Sequence, residues 1–496
     1  MSFIPSPQQQ TFLDWCESGT GSAVLEAVAG AGKTTTLLQA IHKFSGQCVI
    51  VAYNKKIAEE ISGKLKRDGI DYRKCEASTV HALGFRAYRK QFPNVKVDRY
   101  KLDNIFDMVA NMEAWPISLK DPIIKMASLA KQQGVGFLHN IADDHVWHGI
   151  DDHFEVCGDH PEKAGDVIKY AKMLLLHSNN DTAHIDFDDM CYLPLVHRVR
   201  FWRYDVVMVD EAQDTNPARR AMVRAILKPG GRVVAVGDRH QAIYGFTGAD
   251  ADSLDLIAKD FNCQYLPLTV SYRCPTEVVN FARQWVNHIS SAPDAPAGSV
   301  GTIGVDELLI REDLKDGTAI LCRNNKPLVN LAYQLIRRRV PCRIEGRDVA
   351  EGMKKLVRKW STIKTIAALE DKLLDWKEKQ VGKLMAKRKE TMAQAIEDQV
   401  ETILEICQQC RSEQKTLVSD ITAFIDSIFS DDVTGMLVLS SIHKSKGREW
   451  ETVFWYDREG TLPSRYARQA WQLEQETNLC YVAATRAKLN LIEVTP

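Results

Sequence analysis

Apolar residues recur along the chain in two rhythms. Short unbroken runs, Ala23-Val24-Leu25 before Glu26, the segment 47–52, Tyr204 to Val209 and Arg232 to Val236, have the length and β-branched content of buried strands. Stretches with helical spacing follow them: Thr35 to Ile41 after the first run, and a helix from Ile57 after the second. Thr11 to Cys16 is amphipathic, and Pro7 fits its first turn with Ser6 as cap. Residues 86–190 read as helical throughout, with few strand-like runs. Later runs at 318–322, 435–439, 452–456 and 489–494 predict further strands, and 351–432 is again helical and dense in Lys, Glu and Gln. Strands alternating with helices predict an α/β fold with helical insertions.

The corner after the first strand carries the chemistry. Ala27-Val28-Ala29-Gly30-Ala31-Gly32-Lys33-Thr34 has strand before it and helix after it, which is the P-loop pattern, with Ala27 at the usual first glycine. Gly30 and Gly32 let backbone N–H groups curl toward a phosphate, and Ala29, Ala31 and Thr35 complete the cradle. Lys33 reaches the β- and γ-phosphates, and the Thr34 hydroxyl suits Mg²⁺. Gln9 is the choice for an amide clamp on adenine, with Gln8 and Gln10 left open.

Downstream, the strand ending at Val209 runs into Asp210-Glu211-Ala212-Gln213-Asp214. One carboxylate, Asp210, suits the metal shell, and the next, Glu211, suits the base for the attacking water. After Val236 comes Gly237-Asp238-Arg239-His240-Gln241, with Gln241 placed to feel the γ-phosphate. Tyr244 and Phe246 offer flat faces on which bases of a single strand can stack. Tyr53 and Asn54, and Thr79 with His81, stand at the ends of two further strands, where α/β proteins keep ligand contacts.

P-loop, Asp-Glu-Ala-Gln-Asp and Gly-Asp-x-x-Gln-x-Ile-Tyr, in this order, resemble superfamily 1 helicases of the UvrD/Rep/PcrA type. Val270-Ser271-Tyr272-Arg273, Ser441 to Glu449 and Glu476 to Ala487 look like three later blocks of that family, so the match runs from about residue 5 to 495. The wording from Tyr53 to Ala58 is closer to the F-box helicase branch. The resemblance implies two RecA-like P-loop motor domains. Residues 1–85 with 186–265 would form the first motor and 86–185 a helical insertion in it. Residues 266–350 with 433–496 would form the second motor, and 351–432 a short accessory insertion. It implies ATP and Mg²⁺ as cofactors, Tyr272 stacked on adenine, and Arg273 and Arg486 on the γ-phosphate. Tyr53, Asn54, Thr79, His81, Tyr244, Phe246 and His443 match positions expected to touch single-stranded DNA, and Glu449 one that couples the two sites. Phe246 and Thr247 stand where the family commonly has Trp and Arg, and Asn478 where it often has Arg.

The implied activity is a DNA helicase or translocase moving 3′ to 5′ on single strands and at junctions with duplex, in repair, recombination or replication. A translocase that mainly displaces bound proteins and a nucleotide switch without motor activity are the competing expectations. A monomer, with protein loading factors as possible partners, is expected. Net charge is −1, so any nucleic-acid site must be a local groove. The 12 scattered cysteines, the absence of a basic and apolar leader and the lack of a membrane-length apolar run point to a soluble intracellular protein, cytoplasmic or nucleoid-associated. The histidines between His139 and His160, with Cys157, match no zinc spacing, and Cys407-x-x-Cys410 is a lone pair. Asp294 to Gly301, rich in Pro, Ala and Gly, reads as a flexible joint.

Overall fold

The computed structural model describes residues 4–52, 54–157, 161–245, 252–386, 390–429 and 435–496. Tyr53, Phe246, Thr247, His160 and the basic residues 387–389 lie outside the described residues. The chain forms two compact units, Met1–Val28 with Gly32–Leu268, and Ala29–Ala31 with Thr269–Pro496.

In the first unit, β1 (Ser22–Ala27), β2 (Cys48–Ala52), β3 (Cys75–Thr79), β4 (Tyr204–Val209), β5 (Leu227–Gly237) and β6 (Cys263–Leu268) form one sheet. Its order is β3-β2-β4-β5-β1-β6, and every neighbouring pair is parallel. A parallel sheet is covered on both faces, so the polar–apolar alternation disappears; all five residues of β2 are buried. The order matters for the site. β5 separates β4 from β1 on one side, and β2 and β3 flank β4 on the other.

Between β3 and β4 the described chain is helical apart from the short strand pair Lys96–Val97 and His184–Ile185. Its helices enclose a separate core around Phe106, Trp115, Met126, Trp147 and Leu174. Two lysines are buried beneath it. Lys101 meets Asp189 at 2.9 Å, and Lys131 meets Asp186 at 2.6 Å and Asp189 at 2.7 Å. Asp186 to Asp189 belongs to the acidic run that closes this helical stretch in the sequence, so the return to the sheet is fixed by buried ion pairs.

In the second unit, β7 (Ser299–Gly304), β8 (Thr318–Cys322), β9 (Cys342–Ile344), β10 (Leu437–Ser441), β11 (Trp450–Tyr456) and β12 (Ala487–Thr495) form another all-parallel sheet, in the order β7-β12-β11-β8-β10-β9. Helices Arg347–Arg358, Ile366–Ala386, Glu390–Ser412 and Val418–Ile428 lie between β9 and β10 in the chain. Leu373, Ile403, Cys407 and Ile425 from three of them share one apolar core with Ile320 and Leu439 of the sheet. Among the described residues no helix is long and apolar enough to cross a membrane.

One expectation needs correction. The segment from Asp294 to Gly301 is not a joint along its whole length, because Ser299–Gly301 opens β7 and pairs with Asn490 to Ile492. An edge strand exposed along most of its length has little need of apolar residues, so its sequence carries no strand signal.

Candidate functional site

The site is built from the turn that follows β1. Gly30 and Gly32 both have φ near +75° (74° and 75°), a left-handed conformation that costs other residues strain. Gly30 also has no room for a side chain: a Cβ there would lie 2.5 Å from Cβ of Arg273, which belongs to the same unit as Ala29–Ala31. In that unit the Ala29 N–H donates to the Tyr481 hydroxyl at 2.8 Å, and the Gly30 carbonyl accepts from the Tyr272 N–H at 2.9 Å. The helix Lys33–Ala40 starts at Gly32 without a side-chain cap, so its N-terminal N–H groups and dipole suit an anion. Gln9 braces this helix. Its Nε2 donates to the Thr36 hydroxyl at 3.0 Å, and its Oε1 accepts from the Ser6 N–H at 2.9 Å. Thr35 lies in the first turn of the same helix.

Lys33 Nζ lies 3.1 Å from the Glu211 carboxylate. Burial works against the charged lysine, but Glu211, Asp210 and Asp238 outweigh it and hold the group above its ordinary value. Asp210 is pushed up to about 6, first by burial and then by Glu211 beside it. The Thr34 hydroxyl lies 3.4 Å from Asp210 Oδ2, a pair of hard oxygens that suits Mg²⁺, which keeps most of its shell for water and phosphate. Glu211 sits at φ 51°, a strained value for a side-chain-bearing residue. Gln213 holds that turn: its Nε2 donates to Glu211 at 2.6 Å and its Oε1 accepts from the Asp238 N–H at 3.1 Å. Gln241 is buried and donates to Asp238 Oδ2 at 2.7 Å. The Gln213 amide thus links the ends of β4 and β5.

The second unit holds its two arginines in different ways. Arg273 Nε donates to Glu449, and Nη1 lies 3.4 Å from the Thr485 carbonyl. Glu449 also meets Lys488 at 3.3 Å. Burial opposes its charge, but these two cations hold the carboxyl below its usual value. Arg486 is only 1% exposed, and its guanidinium donates to the carbonyls of Val482 at 3.0 Å and Arg448 at 3.2 Å. Tyr272 stands half exposed next to Arg273. His443 is pushed down to about 3 by burial, then by Arg323 and Lys446, so the ring is neutral at pH 7.

Residues 7–262 match the UvrD/REP helicase N-terminal domain, and residues 346–494 match the UvrD-like helicase C-terminal domain. The chain belongs to the UvrD/Rep helicase family. F-box DNA helicase protein 1 of Schizosaccharomyces pombe is 26% identical over 98% of this chain and 57% of its own length. ATP-dependent DNA helicase UvrD2 of Mycobacterium tuberculosis is 24% identical over 95% of this chain and 76% of its own. ATP-dependent DNA helicase PcrA of Staphylococcus epidermidis is 25% identical over 54% of this chain and 38% of its own. This UvrD/Rep-family chain therefore spans little more than half of the first of these relatives.

Of the family positions expected on DNA, two double as helix caps. The Asn54 side chain accepts from the Ile57 N–H, and Thr79 from the Ala82 N–H. His81 is the second residue of the latter helix, half buried. Tyr244 is half buried. Sequence reasoning gave no role to Gln213 or Asp238, although both stand inside motifs that it quoted. Their function as braces depends on β4 and β5 being neighbours, which only the sheet order reveals.

Proposed function

We propose that this chain is an ATP-dependent DNA helicase or translocase that moves 3′ to 5′ along single-stranded DNA. The observation that carries the reading is the set at the ends of β1 and β4: Lys33 against Glu211, and Thr34 beside Asp210. In this reading Lys33 binds the β- and γ-phosphates, Glu211 takes the proton of the attacking water, and Gln213 fixes its orientation. Mg²⁺ held by Thr34 and Asp210 would neutralise charge on the phosphates. Gln241, joined to Asp238, would report the state of the γ-phosphate toward Tyr244. Arg273 and Arg486 would offset charge on the transferring phosphoryl, for which a planar, permanently charged guanidinium is suited. Tyr272 would stack on the adenine, and Gln9 would contact its edge. Asn54, Thr79, His81, Tyr244 and His443, with Tyr53 and Phe246, would line the path of the strand.

The division into two RecA-like motors, 1–85 with 186–265 and 266–350 with 433–496, belongs to the same proposal, as does a place in repair, recombination or replication. The test is ATP turnover with and without oligo(dT), followed by unwinding of duplexes tailed at one end only, in each orientation. Stimulation by DNA and unwinding from the 3′ tail are expected. Equal turnover with and without DNA would leave the nucleotide-switch reading in place. Stimulation without strand separation, with displacement of a bound protein, would favour the stripping translocase.

A further inference from the structure

The ends of β2 and β4 meet at a narrow cleft of about 20 Å³, beside the hydrolytic groups described above. Asp210, Glu211 and Asp214 line it from β4, and His81 lines it from the helix after β3. Arg219, on the helix Pro217–Ala225, closes it. The cleft thus joins the two carboxylates assigned to hydrolysis to the strand ends assigned to DNA. It is also electrically awkward for that purpose. A phosphodiester approaching His81 meets three acidic side chains, and like charges at such range repel strongly where water is partly excluded. His81 does not help, because burial and then Arg219 hold it down at about 4, so it is neutral at pH 7. Among the described residues lining the cleft, Arg219 therefore carries the one positive charge at that pH.

Arg219 is also tied to the catalytic turn. Its Nη1 donates to the Asp214 carbonyl at 3.0 Å, and the Asp214 N–H donates to the Glu211 carbonyl at 3.0 Å. Ala212–Asp214 is a single tight turn between those two bonds, and it begins at the strained Glu211. The guanidinium is thus joined to Glu211 through three residues of backbone. A fork of five N–H donors can meet a phosphate oxygen while keeping a carbonyl, which an ammonium on a flexible stem does poorly.

We propose that Arg219 is a strand sensor: it contacts a phosphate of the bound single strand and, through the Asp214 carbonyl, positions the Glu211 turn for hydrolysis. This rests on the DNA-dependent ATPase reading and adds to it a positioning residue and a backbone contact.

The experiment compares wild type with Arg219→Gln and Arg219→Lys, using fluorescent oligo(dT). Affinity is measured across a range of salt concentrations, and ATP turnover with and without the oligonucleotide. Loss of one phosphate contact flattens the slope of log affinity against log salt by about 0.7. Arg219→Gln is expected to show that change and to lose at least about tenfold in stimulation by DNA. Arg219→Lys is expected to keep the slope, because the charge remains, and to lose most of the stimulation. Either readout left at the wild-type value in Arg219→Gln overturns the proposal. So does a lowered melting temperature with the salt slope kept, which marks a merely structural role. Wild type that is not stimulated by DNA would instead overturn the helicase reading itself, so the two failures are distinguishable.

Discussion

At the carboxyl ends of the first sheet, Lys33 is surrounded by carboxylates; Glu211, Asp210 and Asp238 all raise its hold on a proton. In the second unit two arginines are held, Arg273 by Glu449 just before β11 and Arg486 by backbone carbonyls just before β12. The sheets themselves are alike, six parallel strands each. What differs is the sign of the chemistry. Acids near a lysine can organise a cation, a phosphate and a water, which is what cleavage of an anhydride needs. Arginines supply positive charge and no base. The arginines also differ from each other: Arg273 is paired with the Glu449 carboxylate, whereas Arg486 is buried and donates to the backbone carbonyls of Val482 and Arg448.

The largest effects should come from the acidic side of this comparison. Lys33→Ala is expected to abolish ATP turnover. Glu211→Gln is expected to lower it by about 10³-fold while leaving ATP binding measurable, since positioned acid–base groups contribute on that order. Steady-state turnover beside nucleotide binding checks both. A Glu211→Gln variant with near-normal turnover would remove the base from the first unit and dissolve the contrast.

The two arginines offer a sharper test. Arg273→Ala should cost about 10³-fold in kcat, with the melting temperature close to wild type, because its half-exposed pair with Glu449 is worth ~1 kcal/mol or less to the fold. Arg486→Ala should lower kcat and stability together. It removes a buried side chain together with its hydrogen bonds to two carbonyls, each worth about 1–3 kcal/mol net because the donor is charged. Measuring kcat and thermal unfolding for both variants separates a charge that is available to ligand from one that is built in.

Buried lysine–acid pairs support the apolar core of the helical part of the first unit, whereas the helices of the second share an apolar core with their sheet. Asp189→Asn leaves Lys101 and Lys131 short of a partner in a dry interior. Breaking a buried pair from one side costs about 3 kcal/mol or more. Chemical denaturation should register that loss, while Leu373→Asn in the second unit should fail for lack of hydrogen bonds rather than for stranded charge.

Much of this was legible in the chain before any coordinates. β1, β2, β4 and β8 are short apolar runs, and burial on both faces of a parallel sheet requires such runs. The glycines of the P-loop were legible because few residues tolerate their φ. β6, β7 and β9 were not. β6 contains Pro267 and lies at an exposed edge, β7 is mostly solvent-facing, and β9 has three residues. The Cys407 and Cys410 pair, read as a weak metal candidate, is packed inside the helix Glu390–Ser412, and burial pushes both thiols up. The link from Arg219 to His81 and Glu211 joins three chain segments through the sheet order, and no local pattern encodes it. The divided roles of Arg273 and Arg486 were equally hidden, since one letter stands for an arginine paired with a carboxylate and for one held by backbone carbonyls.

The smallest expected effect again separates the two units by how they treat a carboxylate. In the first, Asp210 is buried beside a lysine. In the second, Asp398 on the helix Glu390–Ser412 is pushed up to about 7, first by burial, with Arg323 opposing and Glu397 and Glu401 adding to it. Its folded pKa lies above the unfolded value near 3.8, so the folded state binds the proton more tightly. The stability that this contributes is complete below about pH 4 and is lost as pH rises through about 7. Each pH unit between the two values is worth about 1.4 kcal/mol, and partial exposure of the carboxyl leaves on the order of 2 kcal/mol in all. Asp398→Asn should therefore unfold at higher denaturant than wild type at pH 8 and at nearly the same denaturant at pH 4.5. Denaturation curves at the two pH values check the sign, and a variant that is weaker at pH 8 would mean that Arg323 holds Asp398 ionised after all.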